Sequence, residues 1–310
     1  MQTLVTGGAG FIGSHLVDAL QEAGDELLVV DDLTSGKREN LAAALERGAE
    51  LVELDVCDAA ALQPAVQSFS PQSVFHLAAQ IDVRTSMADP AFDARVNVAG
   101  TLGVLEAAAR AGAGDFVFTS TGGAIYGEGA ERPERLPFAE DAERLPLSVY
   151  GQSKLAAEGY LDFYRRTRGL RTTALRLGNV YGPRQDRALE AGVVAIFCGL
   201  AREGGRPTVF GDGEQTRDYV YIGDVVSALL AAREAGLPGP FNVGTGVETS
   251  VLGLADAIGA RAGRDDFEPG FEPAREGEIQ RSVLDASLAA SELGWRAQRD
   301  LDGGLALTLG

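Results

Sequence analysis

The chain has 310 residues, of which 45% are hydrophobic, and this is enough to bury a large core in one domain or in one and a half. A formal net charge of −18 opposes non-specific binding to nucleic acid, so an anionic ligand would have to be held by local donors. No apolar run approaches the ~20 residues that a membrane-spanning helix needs. We therefore expect neither a nucleic-acid partner nor a membrane partner.

Cysteine and histidine are both scarce. The two cysteines, Cys57 and Cys198, lie in apolar contexts and predict reduced core residues of a cytoplasmic protein. With two histidines and no cluster of Cys and His, we expect no metal site. Because residues 1–5 already have the pattern of a strand, the sequence also predicts no signal peptide.

The first motif is TGGAGFIG, residues 6–13, which follows a strand pattern and opens a helix pattern. Gly7 and Gly8 would allow a turn with positive φ. Gly10 would let backbone N–H groups approach a pyrophosphate, and Gly13 would let the helix pack close to the strand. A strand, a glycine turn and a helix in this order predict a phosphate cradle at a helix N-terminus, and so a dinucleotide site.

The second strand pattern ends at two acidic residues, Asp31 and Asp32. Asp31 lies where a carboxylate accepts hydrogen bonds from both ribose hydroxyls of an adenosine, and it would repel a 2′-phosphate. The position therefore predicts NAD rather than NADP as the cofactor. The simpler interpretation is a polar strand end.

Strand and helix patterns alternate along the first half of the chain, which is typical of a parallel sheet with helices on both faces. The predicted strands are 2–6, 27–30, 51–56, 73–77, 115–120, 170–177 and 241–243. The predicted helices are 11–23, 59–68, 93–112, 149–168, 225–234 with Asp224 as its N-cap, and 252–262, while 127–148 reads as a loop. We expect an α/β fold with a doubly wound parallel sheet, divided into a dinucleotide-binding domain over 1–180, with returning elements near 217–245, and a smaller lobe over 181–310.

The sharpest catalytic signal is YGQSK, residues 150–154. On a helix, residues four apart lie on one face, so the ammonium of Lys154 would lie beside the phenol of Tyr150. A positive charge ~6 Å away contributes roughly 2–3 kcal/mol at an effective dielectric of ~20, and together with a positive nicotinamide it would lower the pKa of Tyr150. The alternative is an incidental pair on an exposed helix, although lysine occurs only at Lys37 and Lys154.

Small and hydroxyl side chains follow two strands at the edge of the sheet where ligands collect. The cluster Thr119-Ser120-Thr121 ends the fifth predicted strand, and either Thr121 or Ser120 would exchange a hydrogen bond with a substrate hydroxyl. Such clusters are more often turn chemistry. Ala78 and Ala79 follow the fourth strand, where small side chains would let a cofactor lie close, although ordinary packing explains them equally well.

Together, TGGAGFIG, the Asp31-Asp32 strand end, STGGAIYG, YGQSK and LRLGNVYGPRQ resemble the extended short-chain dehydrogenase/reductase family along essentially the whole chain. Within that family the chain is most similar to the bacterial UDP-glucose 4-epimerases. The resemblance implies a Rossmann-like domain with a smaller C-terminal α/β substrate lobe, tightly bound NAD, and interconversion of UDP-galactose and UDP-glucose through a 4-keto sugar in galactose metabolism. It also implies a homodimer in which helices 93–112 and 149–168 of each subunit pair.

The same resemblance implies the roles of individual residues. Tyr150 would be the general base, Lys154 would bind the nicotinamide ribose, and Thr121 would be the hydroxyl partner, with Ser120 as an alternative. The implied cofactor-binding residues are Gly7, Gly10, Phe11, Ile12, Gly13, Asp31, Asp32, Asp55, Val56, Leu77, Ala78, Ala79, Gln80, Asn97, Thr119, Tyr150, Lys154 and Leu177. The implied substrate-binding residues are Thr121, Tyr150, Asn179, Val194, Val209, Arg217, Arg275 and Ser282. Among these, Asn179 would contact the pyrophosphate, the two arginines would clamp the diphosphate, and the small gatekeeper Ser282 would leave room for a 2-acetamido group.

Three other functions stay open at this point. Sugar 4,6-dehydratases of the family usually place Asp-Glu directly after the catalytic threonine, whereas Gly122-Gly123 stand there in this chain. UDP-glucuronate 4-epimerisation is harder to separate, because few contacts distinguish a 6-carboxylate from a 6-hydroxyl. A non-catalytic NAD-sensing module would keep the fold without turnover, and the intact Thr, Tyr and Lys set argues against it.

Overall fold

A computed structural model describes residues 1–187, 192–275 and 277–310. Its strands are β1 Gln2–Thr6, β2 Glu26–Asp31, β3 Glu50–Glu53, β4 Ser73–His76, β5 Asp115–Thr121, β6 Arg171–Leu177, β7 Asn179–Tyr181, β8 Thr208–Phe210, β9 Thr216–Tyr221, β10 Phe241–Val243, β11 Glu248–Ser250 and β12 Gly270–Glu272. Its α-helices are α1 Phe11–Glu22, α2 Ala42–Glu46, α3 Ala59–Phe69, α4 Val83–Ala88, α5 Pro90–Ala94, α6 Thr101–Ala111, α7 Gly122–Ile125, α8 Val149–Arg168, α9 Val193–Glu203, α10 Ile222–Ala235, α11 Val251–Arg261, α12 Ser287–Glu292 and α13 Leu301–Leu309.

The largest sheet among the described residues has seven strands in the order β10-β6-β5-β4-β1-β2-β3. The pairs from β3 through β2, β1 and β4 to β5 are parallel, and Thr6 lies opposite both Val30 and His76. β4 and β5 are buried throughout, as expected for parallel strands with helices on both faces. The predicted α/β fold with a doubly wound parallel sheet is therefore confirmed. The strand order reverses between β1 and β4, and in such sheets ligands bind at the carboxyl ends of the strands beside this point.

The chain divides into two compact units, each made of three segments. The first unit comprises Met1–Thr121, Ser148–Arg176 and Val226–Phe241, and the second comprises Gly122–Leu147, Leu177–Val225 and Asn242–Gly310. The returning segment is thus 226–241, and the polar stretch before α8 belongs to the second unit. Phe138 explains that placement, because its ring stacks on Tyr126 and its backbone N–H donates to Val283 O.

The second unit has its own sheets and core. β9 pairs antiparallel with β11 and parallel with β7, and β8 pairs parallel with β12. Phe197 of α9, Leu254 of α11 and Leu305 of α13 belong to one hydrophobic cluster with Tyr219 of β9. These helices therefore hold β9 in place, and β9 carries Arg217.

The predicted helix over 93–112 is wrong in its continuity. Residues Arg95–Gly100 form a π-helical segment between α5 and α6. Its wider turn brings Asn97 inward, where Asn97 Oδ1 accepts from Gln80 N at 3.0 Å and Asn97 Nδ2 donates to Gln80 O at 2.8 Å. Such segments occur frequently at functional sites.

Two local expectations are also wrong. α10 begins at Ile222, so Asp224 lies in its first turn instead of capping it, and the Asp224 carboxylate accepts from Arg299 N. Positive φ occurs at Gly7 but not at Gly8, where a Cβ would instead meet Val29 Cγ1 at 2.6 Å. Within the described ranges, no helix is both long and apolar enough to cross a membrane.

Candidate active site

The glycine turn between β1 and α1 leaves no space for side chains. Gly7 has a φ of 70°, and a Cβ there would lie 2.6 Å from Ala78 N. A Cβ on Gly13 would lie 2.1 Å from Gly7 O, so only glycine lets α1 start this close to the strand. Gly10 is the N-cap residue of α1 and provides no side-chain cap, which leaves the first-turn N–H groups to an anion. The turn therefore fits a cofactor pyrophosphate.

Asp31, at the end of β2, braces this turn. Its Oδ2 accepts from Ala9 N at 2.8 Å and its Oδ1 accepts from Leu33 N at 2.9 Å. Burial raises the pKa of the Asp31 carboxyl, while these two backbone N–H groups oppose the rise. The adjacent Asp32 is exposed and accepts from Thr34 N. The structure thus places Asp31 against the glycine turn, where the sequence predicts contact with a ribose.

The segment after β4 runs alongside the same turn. Leu77 N donates to Thr6 O at 3.0 Å, and the half-buried Ala78, Ala79 and Gln80 follow. Four other predicted cofactor residues also lie in the first unit: Phe11, Ile12, Asp55 and Val56. Leu177 is buried and is the first residue of its segment in the second unit.

The structure brings the predicted Tyr–Lys pair together on α8. Lys154 Nζ lies 6.0 Å from the centre of the Tyr150 ring. Lys154 is 3% exposed, and its Nζ donates to Thr119 O at 2.9 Å and lies 4.6 Å from the centre of the Phe118 ring. Tyr150 N donates to Ser86 Oγ at 3.1 Å, which fixes the start of α8 on α4. Both catalytic candidates are therefore held by β5 and α4.

Burial dominates the electrostatics of this pair. It raises the pKa of the Tyr150 phenol, and the carboxylate of Asp93 raises that pKa further. It lowers the pKa of Lys154 to about 8, and Asp93 and Glu158 oppose this decrease. The lowering of the Tyr150 pKa that the sequence predicts from Lys154 and a positive nicotinamide does not arise in the protein alone.

The hydroxyls at the end of β5 are divided between two faces, because successive strand residues point to opposite sides. Ser120 Oγ donates to Glu158 Oε1 at 2.6 Å. Thr119 Oγ1 donates to His76 O at 3.3 Å on the other side, and Thr121 shares that face. Thr121, rather than Ser120, therefore lies on the strand face of Thr119.

Glu158 is also bound by a fully buried arginine. Arg176 Nε donates to Glu158 Oε1 at 3.0 Å, and Arg176 Nη2 donates to Glu158 Oε2 at 2.7 Å. This two-pronged contact neutralises the carboxylate and gives both of its oxygens a donor. Because Glu158 is four residues after Lys154, the ion pair lies on the helix face of the catalytic pair and joins α8 to β6.

His76, at the end of β4, is buried and neutral. Its Nδ1 lies 2.6 Å from Thr6 Oγ1, and its Nε2 lies 2.9 Å from Thr101 Oγ1. Since Thr101 Oγ1 donates its hydrogen to Asn97 O, it accepts from His76, and Nε2 must carry the ring proton. Burial and the charge of Lys154 lower the pKa of His76 to about 3.

In the second unit, Arg217 on β9 is partly buried. Its Nη1 donates to Thr216 O at 2.8 Å, and its Nη2 lies 3.7 Å from Glu278 Oε1. The next residue, Asp218, accepts from Thr245 N at 2.8 Å and from Thr245 Oγ1 at 2.6 Å. Burial raises the pKa of Asp218 against these hydrogen bonds. Asp218 thus fixes the backbone that carries Arg217.

The segment that carries Ser282 is held from two sides. Thr216 N donates to Gln280 O at 2.8 Å. The carboxylate of Glu128 accepts from Gln280 N at 2.6 Å and from Arg281 N at 3.0 Å. Ser282 itself is 4% exposed, so its small side chain has a fixed place within the second unit.

The other predicted substrate residues have different surroundings. Asn179 is exposed at the start of β7, and Arg275 is exposed with its Cζ 3.7 Å from the centre of the Phe210 ring. Val194 and Val209 belong to the hydrophobic core of the second unit. A ligand would therefore reach only the backbone of these two valines.

Sequence reasoning missed three carboxylates: Asp93, Glu158 and Asp218. Two of them had a local signal, since Asp93 is four residues before Asn97 and Glu158 is four residues after Lys154, each on one helix face. Asp218 had none, because its partners come from a distant part of the chain.

Comparisons with known proteins agree with this geometry. Residues 3–244 match the NAD dependent epimerase/dehydratase family. The chain is 47% identical to the UDP-glucose 4-epimerase of Mycolicibacterium smegmatis, and the match covers 100% of this chain and 97% of that protein. It is 46% identical to the solved structure of a Thermotoga maritima UDP-glucose 4-epimerase with UDP-glucose, with a TM-score of 0.94 and coverage of 100% and 97% of the two chains. It is 41% identical to the Thermus thermophilus UDP-glucose 4-epimerase in complex with NAD, with a TM-score of 0.91 and coverage of 100% and 98%. The chain therefore belongs to the NAD-dependent epimerase/dehydratase family.

Proposed function

We propose that this protein is a UDP-glucose 4-epimerase, which interconverts UDP-galactose and UDP-glucose through a transient 4-keto sugar while NAD stays bound. The observation that carries the proposal is the Tyr150–Lys154 pair, in which Lys154 is held on Thr119 O. The pair occurs in a chain that is 47% identical, over its whole length, to an enzyme of that name. The cofactor is NAD because the family to which the chain belongs is NAD-dependent.

The residues around the glycine turn fit NAD. Neither Gly7 nor Gly13 leaves room for a Cβ, so the backbone itself can receive the pyrophosphate. Asp31 would accept hydrogen bonds from the ribose hydroxyls, and Asp55 and Val56 would add further contacts to the cofactor. When bound there, NAD would supply a reversible two-electron oxidant for C4 of the sugar.

Three residues of the first unit do the proton chemistry. Tyr150 takes the proton of the sugar 4-hydroxyl and later returns it to the inverted alcohol. Thr121 exchanges a hydrogen bond with the same hydroxyl. Lys154 binds the nicotinamide ribose and adds a positive charge beside the phenol. Because burial raises the pKa of Tyr150, Lys154 must stay charged while Tyr150 acts as the base.

Three further residues are assigned to the nucleotide end of the substrate. Arg217 and Arg275 hold the diphosphate, since a guanidinium fork fits two phosphate oxygens, and Asn179 adds a hydrogen bond. The 3.7 Å contact between Arg217 and Glu278 is loose enough to be exchanged for a phosphate contact. While the diphosphate is anchored, the 4-keto sugar can rotate and present its other face without leaving the site. Inversion at C4 requires this rotation.

The sugar range follows from two small residues. Ser282 is small and held in place, which supports additional activity on UDP-N-acetylhexosamines. At Gly122, a Cβ would lie 2.4 Å from the buried Leu284 Cδ1, so the carboxylate that a dehydratase carries there does not fit without displacing Leu284. UDP-glucuronate 4-epimerisation is the second candidate, and the assay below separates it.

We also propose that the protein is a homodimer in the cytoplasm. Its two thiols, Cys57 and Cys198, are free, which suits a reducing compartment. The paired helices would be α8 and the stretch from α5 to α6.

The first test is a product assay without added NAD. UDP-galactose, UDP-N-acetylgalactosamine and UDP-glucuronate are incubated separately with the protein, and the C4 configuration is read by proton NMR. We expect conversion of the first sugar and, if the pocket is wide, of the second. Conversion of UDP-glucuronate alone would move the protein to the uronate branch, and no conversion with added NAD would favour an NAD sensor.

The matched variant is Tyr150→Phe. It removes the proton-accepting oxygen and leaves the ring, so it should keep NAD and UDP-sugar binding and lose most turnover. Turnover at the unaltered rate in Tyr150→Phe would disprove the assigned mechanism.

A further inference from the structure

Lys154 on α8 is a buried cation without a paired carboxylate. It is 3% exposed, and its Nζ donates to Thr119 O at 2.9 Å. Within the described ranges, no carboxylate oxygen lies within ion-pair distance of this Nζ. Glu158 follows one helical turn later, but its two oxygens accept from Arg176 and Ser120 instead. A buried charge without a counter-ion is costly, so another group must compensate it.

The ring of Phe118 on β5 lies where a counter-ion would be expected. Its centre is 4.6 Å from Lys154 Nζ, which is within the ~6 Å range of a cation–π interaction. Phe118 is fully buried, and such interactions are strongest where water is excluded. The next residue, Thr119, provides the carbonyl oxygen. Two successive residues of β5 therefore contact the ammonium group, one through its ring and one through its backbone.

His76 on β4 lies against the same ring. The centres of the His76 and Phe118 rings are 5.8 Å apart, and the ring planes meet at 25°. Burial and the charge of Lys154 lower the pKa of His76 to about 3, so His76 is neutral. Near neutral pH, His76 therefore brings no second positive charge to the ring of Phe118.

Charged groups on the elements that pack against α8 do not pair with Lys154. These elements are α4, α5, the π-helical segment Arg95–Gly100, α6 and β5. Their charged groups are Arg84, Asp93, Arg95, Glu106, Arg110 and Asp115. Arg84 and Arg95 are exposed, Glu106 pairs with Arg110, and Asp115 pairs with Arg171. Asp93 accepts from two neutral amides and, like Glu158, favours the charged form of Lys154 from beyond ion-pair distance.

We propose that Phe118 is a positioning residue of the catalytic pair, whose ring compensates the ammonium charge of Lys154 and, with Thr119 O, fixes the Nζ at the end of β5. The catalytic meaning of this role rests on the proposed function. β5 also carries Thr121, the proposed hydroxyl partner, so one strand fixes both the lysine and the hydroxyl of the site. An aliphatic side chain at this place would fill the space but leave the ammonium group uncompensated.

The direct test is the titration of Lys154. Because the chain has only Lys37 and Lys154, full-length protein labelled with ¹³C-lysine gives two Cε resonances, which Lys37→Arg assigns. The pKa of Lys154 is about 8 in the unaltered protein. Phe118→Leu keeps an apolar side chain and removes the ring, so we expect the Lys154 titration to move to lower pH by about one unit.

The matched control is Phe116→Leu. Phe116 is also fully buried, lies two residues before Phe118 on the same face of β5, and contacts His76 with its ring. The described ring contacts of Lys154 include Phe118 but not Phe116. We expect both variants to lower the urea midpoint of unfolding, and only Phe118→Leu to move the Lys154 titration. An equal shift of the titration in both variants would indicate loosened packing and overturn the proposal.

Fluorination of the ring separates charge compensation from shape. Monofluoro-, difluoro- and trifluorophenylalanine in place of Phe118 withdraw electrons from the ring face and hardly change its volume. We expect the Lys154 titration to move to lower pH with each added fluorine, whereas the same series in place of Phe116 should have no effect. Titrations that superimpose across the Phe118 series, or that move to higher pH, would overturn the proposal. This series also decides the question if Phe118→Leu does not fold.

The pH profile of kcat is the second measurement. Because Lys154 must stay charged while Tyr150 acts as the base, the alkaline limb of the profile should move to lower pH along the fluorinated Phe118 series. A lower kcat with the alkaline limb in place would indicate a purely structural role and overturn the proposal. If the unaltered protein turned over no nucleotide sugar, the proposed function would fail, while the lysine titration would still decide the role of Phe118.

Discussion

Ser120 and Thr121 are neighbours, but the structure gives their hydroxyls different tasks. Ser120 donates to Glu158, so its hydrogen is not available to a substrate. We therefore predict that Thr121→Val lowers kcat by about 100-fold or more, because it removes a hydrogen bond made at the reacting oxygen. Ser120→Ala should stay within several-fold of the unaltered kcat, although losing a bond to a charged group costs about 1.5–3 kcal/mol of stability.

Both variants are compared by kcat at saturating UDP-galactose and by the urea midpoint of unfolding. The prediction requires that kcat and stability separate: Thr121→Val changes mainly kcat, and Ser120→Ala changes mainly the midpoint. The reverse pattern would assign the catalytic hydroxyl to Ser120.

His76 should make stability depend on pH above the range in which carboxylates titrate. Its pKa is lowered to about 3 in the folded protein, against an ordinary value of 6.5. Below pH 6.5 the unfolded chain binds a proton that the folded protein excludes, so stability decreases as the pH falls. The decrease is about 1.4 kcal/mol per pH unit, which gives about 2 kcal/mol between pH 7.5 and pH 5.

Urea unfolding at pH 7.5 and at pH 5 measures this decrease. His76→Gln keeps a neutral donor and acceptor for Thr101 and Thr6, and it should flatten the dependence over that interval. An equal decrease in both proteins would show that other groups cause it.

Sequence reasoning found the residues whose relation is local and missed those whose relation is distant. Tyr150 and Lys154 are one helical turn apart, so their spacing alone predicts the contact. Glu158 and Ser120 are joined across 38 residues, and only the packing of α8 on β5 brings them together. The spacing of Asp93 to Asn97 was visible in the sequence, but the burial of Asp93 was not, since most Asp residues in a helix are exposed.

α8 is held in register by the ion pair between Glu158 and Arg176. Removing one partner leaves an uncompensated buried charge, so Arg176→Met should destabilise the protein by about 3–5 kcal/mol. The double variant Glu158→Met with Arg176→Met should recover most of that loss, because a similar apolar volume then fills the site without a charge. Urea midpoints of the single and double variants measure the coupling.

The exposed pair Arg110–Glu106 is a matched control on α6. Arg110→Met removes a pair of similar length that solvent screens, so it should cost less than about 1 kcal/mol. If Arg110→Met and Arg176→Met lowered the urea midpoint of unfolding equally, the buried ion pair would not be what holds α8 in register.

Strands were predicted more accurately than the long helix, for a physical reason. A buried parallel strand is a short apolar run between turn residues, and such runs stand out in the sequence. The predicted helix over 93–112 is interrupted by a π-helical turn. The hydrophobic periodicity of 3.6 residues in the sequence does not show the extra residue of such a turn. Asn97 within this turn bonds to Gln80, which is a tertiary contact that the local pattern does not show.

For the whole molecule we predict that α8 forms the dimer contact. Tyr160 and Phe163 are 40% and 46% exposed, lie three residues apart on one face, and are large apolar groups on an otherwise charged surface. Tyr160→Glu with Phe163→Glu should convert the dimer to a monomer of 32.4 kDa in light scattering. Met87→Glu with Val83→Glu adds the same charge on α4 and should leave the dimer intact. A monomeric unaltered protein would contradict the homodimer.

The division into two units has a consequence for synthesis on the ribosome. The chain changes unit after residues 121, 147, 176, 225 and 241, so the first unit lacks its last segment until residue 241 of 310 has been added. Until then β6 has no β10 beside it, and an unpaired strand edge can pair with other nascent chains. A translation intermediate that ends near residue 180 is therefore not a finished nucleotide-binding domain. Native folding of the first unit should therefore begin late in elongation, and slowing elongation between residue 180 and residue 241 should increase aggregation instead of yield.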